Sequence, residues 1–564
     1  MTMVTMRWHA AWRALPGLPD RAAALPAWGL AMLVGGGMNL PVWWRRLDEV
    51  YDEAAWPVLL VGAASELLLA VALTAGLLQL AALGGRVLLQ GVALVLLGVS
   101  AVCAYYMTRF DIVIGYGVIS AVLTADHALS GEVVGWWLTL WLLGVAGLPA
   151  WWWLRRTADQ AMSRRTAGAN LMLALVLGAM AVAGLGGVKR MLPQRDLNAS
   201  FTGVIAHSYL PSNWLAGTGM VLGNRVAAWL AGQHLRHPAE HHRFDARALP
   251  EDVLVVVVVG ESARWDHFGL FGYGRPTTPR LQAEAPRLAA WRARSCDTST
   301  KLSLACMFVR AGGVEPGDGL HRPDVVRERQ VFAVLRTLGF TIDLHAVQGE
   351  AGFYQQVGPD FYQLREVLAA QAGGAPVLDG LLLPELRRSI ERYPRGRHAV
   401  VLHAKGSHYL YSRRYPDDHA RWQPVCDGED GFCRRDELVN AYDNSILYTD
   451  TVLGGVFDLL RDRPALVLYT SDHGESIGEN SHFHATPRAI APPEQRCVPL
   501  LLWASPPLMD DARVGPRMRR AIARANVPDA PEVEHAHIFS TLLGCLGVTS
   551  PDGGLEAGRD LCAP

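Results

Sequence analysis

The sequence predicts an all-α bundle of five membrane helices over residues 1–190 and a water-facing α/β domain over residues 249–564, joined by a partly helical linker over 191–248. Three observations carry that reading. Long apolar runs are confined to the first part, whereas the charged residues, most of the histidines and seven of the eight cysteines follow residue 191. Strand-like and helical patterns alternate in the second part. Three of its strand-like runs end in residues that can hold a metal.

A chain of 564 residues is too long for one ordinary core. Half of its residues are hydrophobic and its formal net charge is −1, which excludes the electrostatic footprint of a nucleic-acid-binding protein. The apolar runs lie near 27–44, 57–84, 86–108, 133–154 and 170–188. Each approaches the ~20 residues that a helix needs to cross about 30 Å of hydrocarbon. A run such as WPVLLVGAASELLLAVALTAGLLQLAAL has no polar stripe for water, unlike the surface helix of a soluble protein. The first run leads into further apolar runs with no small-residue cleavage pattern, so it is expected to be retained as a span.

Arginine placement gives the orientation. Arg7, Arg13 and Arg21 precede span one, Arg86 separates spans two and three, and Arg155, Arg156, Arg164 and Arg165 separate spans four and five. With those segments cytoplasmic, everything after Lys189 emerges on the other side. The segment TADHALSGE, residues 124–132, falls in the outer loop before span four. Its Asp126 and Glu132 either meet a cationic lipid headgroup or are ordinary solvated loop acids.

In the second part, DVLVVVVVGES is a continuous β-branched run, the pattern of a strand covered on both faces in a parallel sheet. HAVVLHAKGSH at 398–408 and PALVLYTSDHGES at 464–476 repeat it, with the helical ELVNAYDNSILYTDTVLGGVFDLL between them. Functional residues gather past the carboxyl ends of such strands. These ends carry Glu261, His408, and the pair Asp472 and His473. Carboxylates and imidazoles converging on one sheet edge suit a catalytic divalent metal such as zinc. One Asp-His pair is more often a turn than a ligand pair, but three strand ends together reverse those odds.

A metal of this kind serves an activated nucleophile. Candidates crowd SCDTSTKLSLACMF, residues 295–308, where Thr298, Ser299, Thr300 and Ser303 lie between two cysteines. Cys296 and Cys306 can close a short loop that holds one hydroxyl at the metal, which requires an oxidising compartment. That agrees with an extracytoplasmic domain.

Six ordered motifs now stand in line: GES with RWDHFGLFGYGRPTTP, CDTSTKLSLACMF, GSH with RYP, YDNSILYTD, SDHGESIGEN with HATP, and VPLLLW. In this order they resemble the lipid A phosphoethanolamine transferases of Gram-negative bacteria, over most of residues 250–505 and through the five-span layout. The resemblance implies a sulfatase-like, alkaline-phosphatase-like α/β domain in the periplasm, anchored in the inner membrane. It implies that Glu261, Thr300, Asp472 and His473 form the principal zinc site, with Thr300 the nucleophile. His408 and His484 match histidines that bind the substrate phosphate or a second zinc, and Glu475 matches a residue near that site. His482 has no counterpart in the pattern and is an additional candidate.

The implied reaction is ping-pong: phosphoethanolamine passes from phosphatidylethanolamine to Thr300 and then to an acceptor, lipid A or another lipopolysaccharide sugar or phosphate. If lipid A is the acceptor, the added cationic headgroup lowers the attraction of cationic peptides such as polymyxin. A monomer is expected. A phosphoglycerol transferase is the nearest alternative. A related sulfatase-fold hydrolase is a further alternative; a true sulfatase needs a C/S-x-P-x-R motif that the segment around Thr300 lacks, and a non-catalytic membrane sensor with a structural metal would close its coordination with Cys or His.

The chain also departs from that pattern. Lysine occurs only at 189, 301 and 405, so two of three lysines lie inside motifs. Lys301 and Lys405 either face the transferred or acceptor phosphate as compact ammonium charges or are solvent-facing substitutions. The cysteines and the Asn/Ser/Lys motif of the resembled family are absent from DLHAVQGEAGFYQQV, residues 343–357. Cys426 and Cys433 match the family's pair ahead of YDN. Cys545 with Cys562 is a candidate third bridge, with Cys497 left over and Cys103 in a span; sequence alone leaves that pairing open.

Overall fold

The computed structural model describes residues 18–563 apart from 52–53, 111, 113, 124–134, 158–161, 192–206, 232–234, 321, 429–432, 480–481, 528 and 557. Asp126 and Glu132 lie outside the described residues. The chain divides into two units, Met1–Gly223 and Asn224–Pro564.

Among the described residues of the first unit, five helical segments are long and apolar enough to cross a membrane: Ala24–Leu47, Trp56–Leu83, Arg86–Phe110, Trp136–Thr157 and Arg164–Met191. The first combines helices α1 (Leu18–Gly35) and α2 (Leu40–Val50). Helix α3 (Trp56–Leu83) packs along α1 and along α4 (Arg164–Met191). Small residues set these approaches, as is usual between membrane helices. A Cβ added at Gly35 would lie 2.6 Å from the Val71 Cα, and one at Gly184 would lie 2.4 Å from the Ser65 Oγ.

Inside this apolar unit a fully buried carboxylate, Glu66 of α3, has both oxygens engaged. Arg46 donates to it from Nε and Nη2, both at 2.8 Å, while the Tyr51 and Tyr209 hydroxyls donate at 2.9 and 2.5 Å. Asn39 adds a two-way bond to the backbone of Leu210, at 2.9 and 2.8 Å. A charge in such surroundings persists only when paired and saturated. Glu66→Ala leaves Arg46 buried without its counter-ion, and the expected cost is about 3–5 kcal/mol. Thermal unfolding in detergent checks this, and the double variant Arg46→Met with Glu66→Gln should recover much of the loss.

The second unit is built on an eight-stranded sheet. Its strands are β1 (Val253–Gly260), β2 (Leu288–Arg294), β3 (Thr341–Ala346), β4 (Phe361–Gln363), β5 (Arg397–His403), β6 (Ala465–Ser471), β7 (Cys497–Ala504) and β8 (Val533–Glu534). They lie in the order β8-β2-β7-β6-β1-β5-β3-β4. The valine run of β1 serves two cores: Val253, Val255, Val257 and Val259 enter one hydrophobic cluster, and Leu254, Val256 and Val258 enter the other. Burial on both faces explains why the run is continuous rather than alternating. Strands β5, β1 and β6 are parallel neighbours. Strand β7 runs antiparallel to both β6 and β2. Adjacent antiparallel strands such as β6 and β7 need no crossover over the sheet, whereas parallel neighbours do.

The helices of this unit include α5 (Thr300–Cys306), α6 (Ala351–Val357), α7 (Leu382–Arg392) and α8 (Arg435–Leu460). Disulfides close Cys296 to Cys306, Cys426 to Cys433 and Cys545 to Cys562, with Cys103 and Cys497 free.

Under α7 lies a buried polar cluster. Ser389 Oγ donates to Asp343 Oδ2 at 2.6 Å and lies 2.9 Å from His345 Nε2, while Thr341 Oγ1 lies 2.7 Å from His398 Nδ1. Burial pushes His345 down to about 3 and His398 down to about 4. The unfolded chain therefore takes up protons that the folded chain refuses. This contribution to stability is complete above the ordinary histidine value of about 6.5 and is lost as pH falls toward 4. Unfolding of wild type and His345→Gln across that window should show a shallower acid loss in the variant.

Candidate active site

The register of the three central strands sets the site. Val259 pairs with His403 and Gly260 with Ser471, so β5, β1 and β6 end side by side. Glu261 and Asp472, the next residues of β1 and β6, thus leave neighbouring strands at the same height. Thr300 arrives from elsewhere, as the first residue of α5 after Ser299 at the N-cap. The Cys296–Cys306 bridge brackets it, and closing a loop of this length stabilises by about 3 kcal/mol through the unfolded state.

Around Thr300 the distances are short. Its hydroxyl donates to Glu261 Oε2 at 3.1 Å and lies 3.3 Å from His473 Nε2. That nitrogen lies 3.2 Å from Glu261 Oε1 and 3.4 Å from Asp472 Oδ2. His473 Nδ1 lies 2.8 Å from the Gly474 carbonyl, which only accepts, so Nδ1 carries a proton and Nε2 is the atom turned to the carboxylates. Among the described residues the buried Asp472 Oδ2 accepts no hydrogen bond beyond the 3.4 Å approach of that nitrogen.

Two buried carboxylates and an imidazole set each other's charge here. Burial and then Glu261 push Asp472 up to about 8. Burial opposes a charged His473, but Asp472 and Glu261 outweigh it and raise the imidazole to about 10. Burial likewise opposes a charged Glu261, yet His473 holds it well below the ordinary carboxylate range. The ligand atoms of Glu261, Asp472 and His473 lie within 4.8 Å of one another, and Asp472 Oδ2 is an orphan among them. A divalent cation fits that donor set, which is the mixed oxygen and nitrogen set of catalytic zinc with a position left open.

A second group adjoins the first. His473, Glu475 and His484 also bring ligand atoms within 4.8 Å. His484 Nδ1 lies 2.8 Å from Glu475 Oε2, whose other oxygen accepts from the Tyr411 hydroxyl at 3.1 Å. The His473 and His484 rings are 4.1 Å apart, and the His408 and His484 rings 6.1 Å. Burial pushes His408 down to about 3, and its Nδ1 has no hydrogen-bond partner. The loops that deliver these side chains are strained: Ser262, Leu410, Phe483 and Ala485 are the non-glycine residues with positive φ among those described, at 56°, 60°, 69° and 67°. They follow Glu261, trail His408 and flank His484. Backbone strain held at ligand-bearing loops is characteristic of functional sites.

Lys301 is half-buried on α5 beside Thr300, and Lys405 is buried after β5 in a loop whose Lys405 and Gly406 N–H groups donate to Asp379 at 2.7 and 2.9 Å. His482 pairs with Ile477 in a two-stranded ribbon and belongs to neither ligand group.

Sequence reasoning missed Gln348. This buried side chain, just past β3, donates from Nε2 to Glu261 Oε2 at 2.7 Å, while Ser262 Oγ donates to Oε1 at 2.8 Å. The available signal was a fourth strand, TIDLHAVQGE, ending in polar residues. Groups that orient a metal-binding carboxylate typically command 10–100-fold in affinity. Gln348→Ala is expected to weaken zinc binding by about 10- to 100-fold, with Gln348→Asn less affected; competition against a chromogenic chelator measures it.

Comparison with known proteins agrees with this geometry. The Sulfatase family matches residues 254–548, and the family described as phosphoethanolamine transferase EptA/EptB matches residues 69–192. The chain is 40% identical over 554 residues to the Kdo(2)-lipid A phosphoethanolamine 7''-transferase of Escherichia coli K12, covering 94% of this chain and 95% of that protein. It is 27% identical to phosphoethanolamine transferase EptA of the same strain, over 80% and 81% of the two chains. The solved integral-membrane lipooligosaccharide phosphoethanolamine transferase EptA of Neisseria meningitidis shares its fold, with a TM-score of 0.79 at 23% identity over 95% of this chain and 98% of that one. Five membrane-type helices, a sulfatase-type sheet and 40% identity over nearly the full length of such an enzyme lead to one assignment: this chain belongs to the membrane-anchored phosphoethanolamine transferases.

Proposed function

We propose that the protein moves phosphoethanolamine from phosphatidylethanolamine to Kdo(2)-lipid A through a covalent Thr300 intermediate, at a zinc site formed by Glu261, Asp472, His473 and Thr300. The single observation that carries this reading is the Thr300 hydroxyl set between Glu261 Oε2 and His473 Nε2, beside the unpartnered Asp472 Oδ2. The acceptor follows from the 40% identical relative and its name. Three disulfides in the second unit support an oxidising compartment. With the arginine distribution of the spans, they support an inner-membrane protein whose catalytic unit is periplasmic.

Bound zinc would supply Lewis-acid stabilisation of phosphoryl charge and a lowered hydroxyl pKa. The chain's own residues do the rest. Glu261 Oε2 accepts the hydrogen bond of the Thr300 hydroxyl and orients its oxygen toward phosphorus. The Thr300 Oγ1–P bond forms as the bond from phosphorus to the diacylglycerol oxygen breaks, and that oxygen leaves as a hydroxyl with the proton Thr300 gave up. In the second half an acceptor hydroxyl attacks phosphorus, the Thr300 Oγ1–P bond breaks, and the acceptor's proton returns to Thr300. Glu475 fixes His484 through Nδ1, which leaves Nε2 to meet the phosphoryl oxygens.

Intact mass measurement after incubation with zinc and phosphatidylethanolamine tests this. A phosphoethanolamine adduct on wild type and none on Thr300→Ala supports donor, nucleophile and reaction class together. A phosphoglycerol adduct with the matching lipid would replace this reading by a phosphoglycerol transferase, and no adduct with any lipid would replace it by a hydrolase or a non-catalytic role.

A further inference from the structure

The segment after β3 reaches the site through the Gln348 bond to Glu261 at 2.7 Å. Two residues on, Glu350 stands at the N-cap of α6, which packs against α5, the helix of Thr300 and Lys301. The Glu350 carboxylate feels the charges of Glu261 and Lys301. Burial and then Glu261 push it up to about 7. Glu350 is part-buried, and the charged form of a carboxylate that feels another carboxylate's charge is favoured by a ligand that brings a positive charge.

The transferred group has such a charge. Phosphoethanolamine is a zwitterion in which two carbons and an oxygen separate an ammonium from the phosphorus that Thr300 attacks. The site offers the complementary pair: a lysine next to the nucleophile for the anionic end, and a carboxylate on the facing helix start for the cationic end. We propose that Glu350 binds the ammonium of the transferred headgroup and thereby selects phosphoethanolamine over headgroups that lack a positive charge. The inference rests on the reaction proposed above and names what makes it selective. Phosphoglycerol has a hydroxyl where the ammonium stands, so it would leave Glu350 without a counter-ion. Discrimination of this kind comes from the unpaired group that the wrong substrate leaves behind.

The test uses full-length, zinc-loaded protein in liposomes of phosphatidylethanolamine or of phosphatidylglycerol, comparing wild type with Glu350→Gln, Glu350→Asp and Glu350→Lys. The rate of adduct formation on Thr300 is read by intact mass, and zinc content is measured on each variant. The expected result is a loss of about 10- to 100-fold in the phosphoethanolamine rate for Glu350→Gln, the usual worth of one charge-assisted contact. Zinc content should be unchanged, Glu350→Asp should be intermediate, and the phosphoglycerol rate of Glu350→Gln and Glu350→Lys should be equal to wild type or higher. Equal rates for wild type and Glu350→Gln with phosphatidylethanolamine would overturn the inference, as would parallel loss of both rates together with zinc, which marks a structural role. A wild type that forms no phosphoethanolamine adduct would overturn the proposed reaction itself, an outcome distinct from a normal wild type with an indifferent Glu350.

Discussion

Thr300→Ala is expected to lower transfer by about 10⁴-fold or more, the scale on which removal of an attacking nucleophile acts, with the fold and the zinc site retained. Retention is expected because Glu261, Asp472 and His473 still supply three protein ligand atoms within 4.8 Å, and the Cys296–Cys306 bridge still closes the loop. Thr300→Ser should keep measurable activity, since it preserves the hydroxyl that donates to Glu261 at 3.1 Å. Lipid product analysis of both variants, with zinc content as the control for folding, checks the prediction. Wild-type turnover by Thr300→Ala would show that the hydroxyl is bystander rather than nucleophile, and would direct attention to an acceptor attacking the donor lipid in one step.

The second large effect concerns the metal and has two opposed parts. Chelation is expected to abolish transfer and to lower the thermal midpoint, because a ligand that binds only the folded state stabilises it by about 4 kcal/mol at 1,000 times its Kd. Asp472→Asn should lose that zinc-dependent gain, since Asp472 contributes a buried oxygen to the ligand group. The metal-free variant should nevertheless be at least as stable as the metal-free wild type. Glu261 and Asp472 are both fully buried beside one imidazole, and burial with the charge of Glu261 pushes Asp472 up to about 8, so without metal Asn replaces a side chain that is already costly to ionise. Thermal melts of both proteins with and without zinc give all four numbers. Equal zinc stabilisation of the two proteins would remove Asp472 from the ligand set.

Much of this architecture is legible in the amino-acid sequence. The spans follow from run length alone, because hydrocarbon admits only helices or closed barrels with satisfied backbones. The valine run of β1 announces a strand covered on both faces, and the neighbouring parallel strands β5 and β6 end in the same kind of polar punctuation. The convergence of Glu261 with Asp472 and His473 was therefore written at two strand ends, those of β1 and β6, with His408 past the end of β5 as the third. Thr300 was marked by its place in a hydroxyl-rich segment between two cysteines and by a family pattern, not by any periodicity.

Other features depended on packing between distant segments. Gln348 and Glu350 lie in a stretch whose local pattern is an ordinary strand-to-helix turn; only the pairing of β3 beside β5 brings them to Glu261 and to the start of α5. The antiparallel sense of β7 depends on where residues 472–496 run, which no alternation of apolar residues records. Glu66 reads as one acid in an apolar span, and its partners Arg46, Tyr51 and Tyr209 reach it across 20, 15 and 143 positions. By itself, then, the sequence determined the two solvents, the fold class and the strand ends where chemistry gathers, because periodicity and composition respond to the average surroundings of a residue. The tertiary structure alone decided which polar atoms meet, because a hydrogen bond or an ion pair depends on distances of a few ångströms between segments that local pattern does not relate.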